Sequence, residues 1–344
     1  MIEKYNVLEH IRMRPAMYIG FLNHFGFNEL VSYFIEDFIR AGIYDIIFIL
    51  KKDNRLIMKW TSPEKTLFNT EIIKSIDQYK QGEFYLSLAG IIALTEYSSI
   101  EINGLPVLQS EKGNFDILDS INHINEEEAC SWMIDFIPDQ DIFKGLILSY
   151  KVLNDLFRRF SFLNPNLKIR SIDESGDEQQ INIFHYSDGL AEIIDYEVQK
   201  RLQYDFCFFT LNFQKKTEYS YSVAFAFVDS QVFKPKIKMY ANYKETILGG
   251  SLLDGIIQGF KMFLKKEAAK RDMKLNISSS RLKKHLLLYG SVQGDLTFLG
   301  STRWTLGTPK VQTEIKKFMY EELKLYFANN EDKAIHILQV VQDE

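Results

Sequence analysis

Side chains able to do chemistry are few in this sequence, and most are spaced wrongly for it. The densest set lies between Lys261 and Lys284, where Lys261, Lys265, Lys266, Lys270, Arg271, Lys274, Arg281, Lys283 and Lys284 face only Glu267 and Asp272. Lys265, Lys266, Lys270, Arg271, Lys283 and Lys284 are the types that neutralise backbone phosphates, so nucleic acid is one partner such a patch could meet. The same string also reads as the solvated face of an amphipathic helix followed by a charged turn. Histidines stand at 10, 24, 123, 185, 285 and 336, never at metal-ligand spacing. Cys130 and Cys207 are far apart, and each lies in an apolar stretch. They read as small buried hydrophobes in a reducing compartment rather than as a disulfide or zinc site. No Walker A string and no G-x-S-x-G elbow occurs. The residues therefore nominate no catalytic group and no metal ligand.

The surrounding chain reads as a folded protein of two domains, with 344 residues, 46% hydrophobic and 25% charged. Its formal net charge of -5 leaves any polyanion to a local patch. The N-terminus has no apolar signal region, and no apolar run is long enough to span a bilayer, so the expected location is cytoplasmic.

Periodicity outlines the elements. Phe27, Leu30, Val31, Phe34, Ile35, Phe38 and Ile39 recur at helical spacing. Residues 44–50 and 55–60 form a two-strand pattern turning at Asp53-Asn54. Helical patterns cover about 67–79, 84–97 and 143–163. Residues 103–130, polar and including Glu126-Glu127-Glu128, read as an exposed excursion. A strand is expected at 132–138 and a hairpin around 175–177. From about residue 195 aromatic and β-branched strands follow one another. Then come a helix over 251–268, a strand over 285–292 and a final helix over 311–327.

Four segments, in order, resemble the N-terminal ATPase region of the gyrase B and topoisomerase IV B subunits: EHIRMRPAMYIG (9–20), FSFLNPNLKIRSIDE (160–174), FHYSDGLAEIIDY (184–196) and GSTRWTLGTPKV (300–311). The resemblance implies an α+β chain. A GHKL-type (Bergerat) helix-on-sheet sandwich would occupy 1–195, and a ribosomal-S5-like transducer domain 196–344. With no D-x-D run in the tail, the metal-binding Toprim domain is expected to be absent, and with it DNA cutting. Only eight residues precede the first motif, so the family's dimerising arm would be cut short.

Hydrolysis in that family needs a glutamate base on the first long helix, an asparagine that holds magnesium, an aspartate that reads adenine, and a glycine-rich phosphate loop. Carried over from Gly26, the base position falls on Tyr33, whose hydroxyl ordinarily keeps its proton until pH is near 10. The magnesium position falls on Asp37, still an oxygen ligand. The adenine-reading position falls near Trp60, and the phosphate loop on residues 81–94, which read as a plain buried helix. The transducer lysine corresponds to Arg303, able to meet phosphate or simply solvated. Asp37 and Arg303 are thus the vestigial nucleotide-site candidates, and Asp37 would be Arg303's substitute partner. The expected function is a non-hydrolysing pseudo-ATPase that acts as a scaffold with no cofactor. Its partner would be a second copy, a gyrase-like subunit or a neighbouring-gene product, with DNA at the basic patch. The alternatives are a divergent ATPase subunit of a split type II topoisomerase, using ATP and magnesium, and a nucleic-acid-binding module.

Overall fold

In the computed structural model, which describes residues 6–63, 68–78, 86–201, 207–228, 234–273, 276–300 and 302–342, the chain opens with three helices. These are α1 (Val7–Met13), α2 (Pro15–Ile19) and α3 (His24–Arg40). Asn6 and Asn23 accept backbone N–H bonds at the starts of α1 and α3, caps worth about 1 kcal/mol each. Strands β1 (Asp45–Leu50) and β2 (Leu56–Ser62) follow. They turn at Asp53 and Asn54, both left-handed with φ of 59° and 60°, as a tight hairpin of right-handed twist requires. Then come α4 (Thr70–Lys74), α5 (Leu86–Leu94), β3 (Thr95–Ile102), β4 (Leu105–Glu111), β5 (Asn114–Ile117), β6 (Cys130–Pro138), α6 (Tyr150–Leu163), β7 (Lys168–Asp173) and β8 (Gln180–Phe184).

Among the described residues the eight strands form one sheet in the order β5-β4-β3-β6-β2-β1-β7-β8. Only β1 and β7 run parallel. Strand alternation puts Phe48, Trp60 and Phe136 on one face, and the helices pack there. Phe38 and Phe27 of α3 meet Trp60 and Phe136, while Phe157 of α6 stacks on Phe48 at 4.3 Å. Arg12, in the first family-like motif, ties α1 to the far end of β6: its guanidinium donates to the Ala93 carbonyl at 2.9 Å and pairs with the buried Asp139. The role visible for that motif arginine is structural.

Four expectations for this unit need correcting. The helix expected over 143–163 begins only at Tyr150, and the one expected over 67–79 is α4, Thr70–Lys74, with residues 67 and 79 outside the described residues. Residues 103–130 are not an excursion, since β4 and β5 extend the sheet and bury Val107 and Leu108. Their turns, Asn103-Gly104 and Lys112-Gly113, are left-handed at both residues, the two-residue hairpin signature. Edge strands with one wet face read as polar, which hid them. The helix expected over 84–97 stops at Leu94, where β3 begins; the part of that expectation before residue 86 lies outside the described residues.

The chain divides into compact units at Met1–Ser187 and Asp188–Glu344. The second contains α7 (Leu190–Arg201), β9 (Cys207–Lys216), β10 (Ser220–Val228), β11 (Lys236–Ala241), β12 (Lys244–Glu245), α8 (Ser251–Ala269), α9 (Ser279–Lys284), β13 (Leu286–Gln293), β14 (Phe298–Leu299), β15 (Thr305–Leu306), α10 (Pro309–Ala328) and α11 (Glu331–Gln342). The main sheet runs β12-β11-β13-β10-β9. Its parallel pair, β11 and β13, needs a crossover, which α8 supplies. Helix α8 lies so close to α10 that a Cβ on Gly259 would meet the Lys316 carbonyl oxygen at 2.6 Å. Helix α7 keeps to this unit through Glu197, which pairs with Lys236 of β11 and accepts the Tyr289 hydroxyl of β13 at 3.2 Å. The helix expected last is followed by α11, which buries Ala334, Ile337, Leu338 and Val341.

Candidate functional site

The position assigned to adenine reading is filled by aromatic rings. Trp60, on β2, is 4% exposed. It stacks on Trp132 of β6 with centroids 5.6 Å apart and planes at 15°, and touches Phe38 at 4.7 Å and Phe68 at 5.4 Å. The β2–β6 ladder sets Trp60 directly opposite Trp132. Neither indole Nε1 has an acceptor among the described residues.

Beside this cluster lies a cleft of about 340 Å³, lined by Phe68, Trp132 and Cys130 and by Glu71, Glu126, Glu127 and Glu128. No lysine or arginine is among its described lining residues. Glu126 is anchored, its carboxylate accepting the Thr70 hydroxyl at 3.2 Å and the Thr70 backbone N–H that opens α4.

Tyr33 donates its hydroxyl to the Tyr18 carbonyl at 2.7 Å. Asp37 is buried, and both its oxygens are engaged inside the first unit. The Ser87 hydroxyl of α5 donates to one at 2.6 Å, and Arg40 pairs with the other at 2.9 Å. Burial pushes its carboxyl above the ordinary value, with the Ser87 bond and the Arg40 charge opposing that rise. The described part of the expected phosphate loop is helix α5, buried from Ser87 to Leu94. Gly90 fits a packing role, because a Cβ there would meet the Leu30 side chain at 2.6 Å.

In the second unit Arg303 occupies the turn between β14 and β15 in left-handed backbone, φ 57°. It is exposed, with its guanidinium 5.7 Å above the Phe298 ring. The basic cluster is divided by its own counter-charge. Glu267 pairs with Lys270 at 2.6 Å and Arg271 at 2.8 Å, and Arg271 reaches on to Glu331 of α11 at 2.6 Å. Burial alone would raise the Glu267 carboxyl, but these two cations outweigh it and hold it below its ordinary value. Lys266 lies 4.5 Å over Tyr320 and donates to its hydroxyl. Lys265 and Lys283 have no ion-pair partner among the described residues, Lys284 is an exposed residue at the end of α9, and Lys274 lies outside the described residues.

Sequence reasoning missed Trp132, Phe68 and the glutamates of the cleft. The lone signal available was the hairpin chemistry around β4, which would have folded 103–130 back toward β6. No group of three metal-ligating side chains occurs among the described residues, and no described helix is long and apolar enough to cross a membrane.

This geometry has counterparts among known proteins. Residues 189–344 match the family model described as DNA gyrase B. The DNA topoisomerase 4 B subunit of Bacillus subtilis is 24% identical over 95% of this chain and 54% of its own length. The DNA gyrase B subunit of Campylobacter jejuni is 23% identical over 95% of this chain and 46% of its own. The chain thus spans about half the length of the curated relatives it matches. Among solved structures, the 43K ATPase domain of Thermus thermophilus gyrase B, in complex with an aminocoumarin, superposes with a TM-score of 0.75 at 19% identity. That match covers 98% of this chain and 96% of the other. The topoisomerase IV ATP binding domain of Francisella tularensis gives 0.73, also at 19%. The second unit is thus similar to the DNA gyrase B family, and the chain as a whole has the fold of the gyrase B ATPase region, a GHKL domain followed by a transducer domain.

Proposed function

We propose that this chain is a non-hydrolysing member of the gyrase B lineage, a pseudo-ATPase that keeps the fold as a scaffold for a protein partner. The partner is a second copy, a gyrase-like subunit or a neighbouring-gene product. The observation that carries this reading is Trp60, buried against Phe38, Phe68 and Trp132 where adenine would be read. Two further features support it. Asp37 already engages its two oxygens with Ser87 and Arg40, so magnesium there would have to compete with both contacts. The adjoining cleft is lined by four glutamates, of which Glu71 pairs with Lys74 at 3.3 Å. A carboxylate about 5 Å from a phosphate charge costs on the order of 3 kcal/mol at an effective dielectric of about 20, less where solvent screens it. The aromatic fill and the acidic lining both disfavour a nucleotide triphosphate. Titration calorimetry of the chain with millimolar ATP and magnesium is expected to give no binding heat. A dissociation constant in the micromolar range, about -8 kcal/mol, would overturn this reading in favour of the divergent-ATPase alternative.

A further inference from the structure

We draw no further inference here: the strongest candidate, the apolar edge that the exposed Ile181 and Ile183 form on β8, the outermost strand of the first unit's sheet, carries nothing, because nothing among the described residues shows what covers it.

Discussion

Asp37, the position expected to hold magnesium, is engaged within the first unit. On α3 its carboxylate is held by a buried serine and an exposed arginine, and burial raises its proton affinity. The consequence for stability has a definite sign. A carboxyl whose folded pKa lies above its ordinary 3.8 favours the native state at low pH, and that contribution is lost as pH rises through the folded value. Wild type should therefore gain melting temperature relative to Asp37→Asn as pH is lowered from about 7 to about 4, with the whole difference arising above the ordinary value. A difference that is flat with pH would mean that Asp37 titrates as an exposed group.

Helix α8 joins packing and charge in one element. Its inner face carries Gly259 where the α10 backbone passes, so Gly259→Ala must push the two helices apart. The expected cost is about 1–3 kcal/mol by urea denaturation, against a few tenths for the exposed neighbour Gln258→Ala; equal losses would contradict the close approach. Its outer end carries the basic cluster, where Lys270 and Arg271 are committed to Glu267 and Glu331. If duplex DNA meets this face, Lys265→Ala with Lys283→Ala should flatten the log–log salt slope by roughly 2, at about 0.9 per phosphate contact. Lys270→Ala with Arg271→Ala should instead lower the melting temperature, by leaving Glu267 buried and unpaired. No DNA shift at low salt would make the whole surface a solvated helix end.

At the scale of the molecule, the division at Ser187 and Asp188 differs from the expected one at residue 195. The residues between belong to α7, which buries Leu190, Ile193 and Ile194 and is tied to the second sheet through Glu197. Full burial of each such side chain contributes about 1.5–3 kcal/mol, a large part of a domain's usual 5–15 kcal/mol. A fragment of residues 188–344 is expected to melt cooperatively by circular dichroism. A fragment of residues 196–344 should melt far lower or lack a transition, and matching melts would place α7's contribution elsewhere.

What the sequence determined by itself was local. The stripe of α3, the Asp53-Asn54 turn, the strands β9 to β11 and the long helix α8 were all legible, because helical and strand periods and turn residues act over a few positions. Tertiary structure decided the rest. Trp60 and Trp132 are far apart in sequence and meet only because β2 and β6 share a register. Arg271's commitment to Glu331 depends on where α11 folds back, and the exposure of Ile181 and Ile183 on β8's being outermost. Such pairings are set by burial and chain closure across the whole domain, so no local window of residues carries them.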